Sequence, residues 1–279
     1  MTGESLSIAI STCPNDTFAF GALMEHHVDG PAFEFTLDDI EALNEALLAG
    51  KFDVAKASFH AALHLARDYC VLPVGAALGF GVGPLLLCAN DEFAARPSRA
   101  GDRVLCPGRW TTASLLYRLF CPDGPEAKQV VFSDIMPAIA AGEADYGVVI
   151  HEGRFTYKEQ NLYMAMDLGT AWEQKTKCPL PLGGIVARKS LGAQKIAQIT
   201  CAIRDSLQYA KANPQVMLPI MSRYAQEFDD DVLMRHVELY VNDATDTLGE
   251  TGRHALKQFA AFAREAGIID SDVDLEIGG

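Results

Sequence analysis

The sequence predicts a two-lobed α/β protein, and three observations carry that expectation. A chain of 279 residues exceeds the usual reach of one hydrophobic core, which favours about two domains. Short apolar runs alternate with stretches of helical spacing, the pattern of strands joined by helices. One helix–glycine–strand passage also recurs about ninety residues later. Ala49-Gly50-Lys51-Phe52-Asp53-Val54 and Ala141-Gly142-Glu143-Ala144-Asp145-Tyr146 both read Ala-Gly-x-x-Asp followed by a strand. The match is short, and chance or convergent helix-stop chemistry explains it as well as kinship of two lobes does.

The first apolar run, Leu6 to Ile10, reads as a buried strand closed by the polar turn Ser11 to Asp16, with Thr17 to Met24 helical. Asp39 to Ala49 has helical spacing at Ile40, Leu43 and Leu47, stops at Gly50, and leads into a strand over 52–57 that ends at Ser58, Phe59 and His60. Val104-Leu105 is a further strand, and Ala113 to Phe120 a helix. Ile135 to Ala141 is helical, and Tyr146 to Ile150 is a strand that delivers His151. The glycine-rich Gly79 to Pro84 and the proline- and glycine-rich Pro179 to Gly184 read as the two crossings between lobes. Lobe boundaries follow as 1–88 with 186–279, and 89–185. Ile196 to Phe262 reads as helices packed on the first lobe, broken at Asn242 to Asp246.

With 49% hydrophobic and 22% charged residues the chain can bury a sizeable interior. A net charge of −14 repels polyanions and excludes a nucleic-acid partner, so an anionic ligand has to be captured by local groups. Seven scattered cysteines, odd in number and without a C-x-x-C pair, fit buried thiols in a reducing compartment. The N-terminus lacks a basic region and apolar run, and no segment has the length and apolarity to cross a bilayer, so the expected location is cytoplasmic, without membrane contact. Oligomeric state is not encoded in these features.

Open α/β sheets bind ligands at the carboxyl ends of their strands. Four segments fall there: Ser11 to Thr17, Lys56 to His60, Pro107 to Thr112, and His151 to Tyr157. Thr111 and Thr112 stand before a helix whose N-terminal dipole suits an anion, although Thr111 is equally a plain N-cap. Lys56, among apolar and small residues, needs a counter-charge unless its strand is an edge facing solvent. His151 ends a strand and has a side chain suited to proton transfer, with a structural role as the plainer alternative. His60 and His64 share i, i+4 spacing without a carboxylate companion, so packing rather than metal is expected; His26-His27 reads as exposed. Cys13 lies before a helix start, where a thiolate is stabilised, but nucleophilic use needs a neighbouring base. Gly79 to Gly83 lacks the G-K-[ST] ending of a nucleotide loop.

At the same four segments the chain resembles the 1,4-dihydroxy-6-naphthoate synthase family of the futalosine route to menaquinone. The pieces are Ser11-Thr12-Cys13-Pro14-Asn15-Asp16-Thr17-Phe18, Lys56-Ala57-Ser58-Phe59-His60, Pro107-Gly108-Arg109-Trp110-Thr111-Thr112-Ala113 and, most specific, His151-Glu152-Gly153-Arg154-Phe155-Thr156-Tyr157. Thr12 stands where the family usually has proline. The resemblance spans nearly the whole chain and implies a type II periplasmic-binding-protein-like fold with a central cleft. It also implies conversion of cyclic dehypoxanthinyl futalosine into 1,4-dihydroxy-6-naphthoate and dihydroxyacetone, with neither metal nor organic cofactor. The proton acceptor maps to His151, and the substrate-binding residues to Lys56, Ala57, Ser58, Thr111 and Thr112. Asn15 and Arg154 of the matching segments join them as candidates. A solute-binding protein of the same fold, or the related chorismate dehydratase, are the competing expectations.

Overall fold

The computed structural model describes residues 5–151, 153–225 and 229–278. Glu152, the first four residues, the last one and part of the predicted helical tract at 226–228 therefore lie outside the described residues. The chain forms two compact units, Met1–Gly79 with Pro181–Gly279, and Phe80–Leu180. Both changes of unit fall inside the predicted crossings.

The first unit opens with β1 (Leu6–Ser11), α1 (Pro14–Met24), β2 (Phe33–Asp38), α2 (Ile40–Leu48), β3 (Val54–Ser58), α3 (Phe59–Leu65), β4 (Tyr69–Val71) and β5 (Ala77–Gly79). The second unit holds β6 (Leu85–Cys88), α4 (Asp91–Ala94), β7 (Val104–Cys106), α5 (Thr112–Phe120), β8 (Lys128–Gln129), α6 (Phe132–Ala140), β9 (Tyr146–Val149), α7 (Gly153–Thr156), β10 (Tyr163–Asp167) and α8 (Leu168–Thr176). The return strand β11 (Leu180–Arg188) then leads to α9 (Ala193–Ala212), α10 (Pro214–Tyr224), α11 (Asp230–Tyr240), α12 (Asp243–Asp246) and α13 (Gly249–Glu265).

In the first unit the strand order is β2-β1-β3-β11-β4, with β5 added on β11. β1 runs parallel to β2 and β3, whereas β11 runs antiparallel to β3 and β4. The second sheet has the order β10-β6-β9-β7-β8, with β7 parallel to β8 and β9, and β6 antiparallel to β9 and β10. The two topologies are the same: β7, β8, β9, β6 and β10 take the places of β1, β2, β3, β11 and β4. Each antiparallel strand is the one that enters straight after a crossing. This corrects the expected boundaries, since Leu85–Cys88 is hydrogen-bonded within the second sheet and residues 181–185 lie on a strand of the first.

The Ala-Gly-x-x-Asp repeat is part of this shared design. Gly50 and Gly142 each adopt φ of +71° to stop a helix, a conformation that costs glycine little. The aspartates then do the same task twice. The Asp53 carboxylate accepts the Ser7 N–H at 3.0 Å and the Asp53 N–H donates to the Ser7 carbonyl, tying β3 to β1. The Asp145 carboxylate accepts the Arg103 N–H at 2.7 Å and its own N–H donates to the Arg103 carbonyl, tying β9 to the residue before β7.

Several element bounds differ from the sequence reading for local reasons. α1 begins at Pro14 rather than Thr17, because proline at the first helical position forfeits no hydrogen bond, and Asn15 and Asp16 thereby sit in its first turn. β2 was not predicted, although Phe33, Phe35 and Leu37 alternate with polar residues and are half-buried against exposed neighbours. The C-terminal helical tract has an additional break at Asn213, and Asn242–Asp246 is itself a capped helical turn.

Ile8, Ile10, Phe20, Leu72, Ile199 and Phe18 build the core of the first unit, and Leu85, Leu87, Ile135, Ile139 and Val149 that of the second. At Gly147 of β9, α6 approaches so closely that a methyl group would collide with Ile135 and Ile139. Gly147→Ala is expected to lower stability by about 1–3 kcal/mol, the usual range for overpacking, as read by urea unfolding.

Candidate active site

In the first unit the sequence-predicted residues meet at the ends of β1 and β3. Lys56 lies in β3, which is flanked on both sides by β1 and β11, and it is 5% exposed. The solvent-facing edge expected as an alternative is therefore excluded. Its Nζ donates instead to Oδ1 of Asp16, in the first turn of α1. That oxygen also accepts from Asn15 Nδ2 at 2.8 Å, while Oδ2 accepts from the Ser11 hydroxyl at 2.6 Å and the Ser11 N–H at 3.3 Å. A buried ammonium thus meets a carboxylate whose two oxygens are both otherwise engaged, as burial of a charge requires. Ala57 is fully buried beside it. Ser58 is gripped by the buried Asn44, whose amide donates to the Ser58 hydroxyl at 3.1 Å and accepts the Ser58 N–H at 3.0 Å. The sequence reading did not include Asp16, Asn44 or His236 among the site residues. His236 of α11 places Nε2 3.0 Å from Asn15 Oδ1.

Cys13 is the N-cap of α1 and is half-buried; its N–H donates to the Ser11 hydroxyl at 3.3 Å. Five of the other six cysteines are buried and Cys201 is exposed. Burial pushes the Cys106 and Cys121 thiols up, to about 12 and about 11, which makes them inert near neutrality. His60 and His64 lie edge to face with ring centroids 5.4 Å apart, and among the described residues no group of three or more His, Cys, Asp or Glu side chains could hold a metal ion.

In the second unit Thr111 is the N-cap of α5. Its hydroxyl accepts the Ser114 N–H at 3.2 Å and donates to the Gly108 carbonyl at 2.8 Å, so its oxygen caps the helix. Ser114 Oγ donates to the same carbonyl at 2.6 Å, pinning the turn that follows β7. Thr112, the first residue of α5, is buried at the positive end of the helix dipole.

His151 follows β9 with a φ of +56°. For a side chain with a Cβ this left-handed conformation costs about 1–3 kcal/mol and persists only where the surroundings hold it. Here the ring is half-buried and lies edge to face on Phe132, with centroids 4.5 Å apart. The His151 carbonyl accepts the Arg154 N–H at 3.4 Å. Arg154 itself donates to the Gly83 carbonyl at 2.9 Å and to Asp167 at 2.8 Å, and Asp167 caps α8 through the Thr170 N–H. The guanidinium expected to bind substrate is thus held as a tie between the turn after β9, the Gly83 turn and the start of α8.

Two α/β units of one topology, with polar groups gathered at the ends of their parallel strands, are the plan of solute-binding proteins. The alkanesulfonate-binding protein of Xanthomonas axonopodis superposes with a TM-score of 0.70 at 12% identity, covering 99% of this chain and 97% of that one, a likeness of fold alone. A crystal structure of an Archaeoglobus fulgidus protein superposes with a TM-score of 0.90 at 31% identity, covering 96% of this chain and all of that one. The family described as menaquinone biosynthesis matches residues 6–265, and the chain belongs to it. It is 40% identical over 275 residues to the 1,4-dihydroxy-6-naphthoate synthase of Streptomyces coelicolor, covering 96% of each, and 41% identical over 266 residues to that of Thermus thermophilus, covering 95% of this chain and 96% of the relative. Its place is that of an enzyme in menaquinone biosynthesis.

Removing one partner from the Asp16–Lys56 pair leaves the other charge buried. Lys56→Met is expected to cost about 3–5 kcal/mol in urea unfolding, and the double variant Lys56→Met with Asp16→Asn less than the two single costs combined.

Proposed function

We propose that this chain is the carbon–carbon lyase that converts cyclic dehypoxanthinyl futalosine into 1,4-dihydroxy-6-naphthoate and dihydroxyacetone, with His151 as general base. The observation that carries the reading is the strand-end imidazole held in a left-handed conformation, in a chain of the menaquinone-biosynthesis family. Backbone of this kind clusters at functional sites, and whereas His26, Asn161 and Lys177 adopt it just after helical turns, His151 adopts it after a strand.

In this reading a neutral His151 nitrogen takes the hydroxyl proton from the sugar-derived ring. The resulting alkoxide collapses to a carbonyl, the adjacent C–C bond breaks, and its electron pair passes into the bicyclic ring system. Aromatisation of the product draws the reaction forward. Lys56, or the α5 start at Thr111-Thr112, holds the aromatic carboxylate, with Ala57 and Ser58 beside Lys56. Asn15 and Arg154 stand with them as substrate-binding residues, each also held by the hydrogen bonds described above. The small anionic substrate needs no metal or organic cofactor in this scheme, and the enzyme works in the cytoplasm. Among the described residues no helix is long and apolar enough to cross a membrane.

Incubation of the purified protein with cyclic dehypoxanthinyl futalosine is expected to produce naphthoate absorbance and dihydroxyacetone, and incubation with chorismate no change. Binding without turnover would instead identify a solute-binding protein, and dehydration of chorismate the related enzyme. Asparagine tolerates left-handed backbone, so His151→Asn is expected to fold and bind while kcat falls about 10²- to 10⁴-fold, the usual worth of positioned proton transfer. Normal turnover in that variant would remove His151 from the chemistry. Thr112→Val is expected to raise KM, and an unchanged KM would place the carboxylate elsewhere.

A further inference from the structure

We propose that His236 is a positioning residue that orients Lys56 through Asn15 and Asp16. The inference rests on the reading that Lys56 serves the substrate. It goes beyond that reading by adding a residue from α11, about 180 positions along the chain, which none of the strand-end motifs contains.

The direction of each hydrogen bond can be worked out from chemistry. Ionised Asp16 is acceptor-only, so the Asn15 group that faces its Oδ1 at 2.8 Å is the amide NH2. The Asn15 carbonyl oxygen then points the other way, to His236 Nε2 at 3.0 Å. A carbonyl oxygen can only accept, so the proton sits on Nε2 and His236 donates. The chain therefore runs His236 to Asn15 to Asp16, with Lys56 donating into the same Asp16 oxygen.

Each link is held in place. His236 is 2% exposed, and its ring lies against Tyr240 with centroids 4.5 Å apart. Asp16 is 2% exposed, and its other oxygen is fixed by Ser11. An ammonium on a flexible four-carbon stem takes its direction from its counter-ion, so whatever sets the plane of the Asp16 carboxylate sets where the remaining Lys56 N–H groups point. A histidine that merely filled space beside Tyr240 would be replaced by another buried side chain without consequence for Lys56.

The test compares wild type, His236→Leu, His236→Gln and Asn15→Leu. With cyclic dehypoxanthinyl futalosine, His236→Leu is expected to raise KM about tenfold while kcat stays within about twofold, the signature of lost positioning rather than lost chemistry. Glutamine presents an N–H at the position of Nε2, and His236→Gln is expected to recover most of that loss. A wild-type KM in His236→Leu overturns the proposal. If that variant does not fold, Asn15→Leu, at a half-buried position, carries the same expectation and the same refutation.

A second measurement needs no substrate. The buried Lys56 ammonium is followed by 1H–15N correlation spectroscopy in each folded variant. Its resonance is expected to move in His236→Leu and Asn15→Leu and to return toward wild type in His236→Gln. An unmoved resonance in both leucine variants overturns the link. If wild-type protein fails to turn over the substrate, the functional reading falls, while the ammonium resonances still decide whether His236 orients Lys56.

Discussion

An ammonium group inside a central strand has to be met by a carboxylate, and the polar interior of the first unit is organised around that requirement. Lys56 is flanked by β1 and β11, where water cannot solvate it. Asp16 answers it from the first turn of α1, close to the helix end that favours negative charge. Pro14 starts that helix early enough to put Asp16 within reach, and Ser11 at the end of β1 fixes the carboxylate from behind. The pair is costly to break, which makes its geometry durable.

The second unit applies the same plan with different chemistry. β7 and β9 repeat the parallel arrangement of β1 and β3, and α5 begins after β7 as α1 begins after β1. Where the first unit caps its helix with Cys13 and follows with Asn15 and Asp16, the second caps with Thr111 and follows with Thr112. Where β3 leads into the ordinary helix α3, β9 leads into a residue of positive φ, His151, and a short turn tied down by Arg154. A common scaffold thus carries the buried Asp16–Lys56 pair in one unit and a histidine of positive φ in the other. Divergence at strand ends leaves the cores alone, because end residues face loops while strand interiors face packed side chains.

Legibility in the sequence followed the range of the interactions involved. The crossings at Gly79 and Pro181, the glycine stops at Gly50 and Gly142, and the threonine cap of α5 all express themselves within a few residues, and each was readable. Period-2 alternation in Phe33 to Leu37 was also readable in principle, but a half-buried edge strand displays it over only six residues. The need of Lys56 for a counter-charge followed from its apolar neighbours. Which of 37 acidic residues supplied it did not, because the answer lies forty positions away in another element. Arg154 was a candidate through its matching segment alone, and its contacts with Gly83 and Asp167 lie in other elements, beyond the reach of that segment.

By itself the sequence determined the alternation of strands and helices, the two-unit plan, and the four segments that reach strand ends, since these depend on local periodicity and turn chemistry. Tertiary structure alone decided that Lys56 is central rather than at an edge, that Asp16 is its partner, and that His236 approaches Asn15 from the far end of the chain. Those outcomes depend on which strands pair and which helices pack on them, and no local pattern of residues encodes that choice.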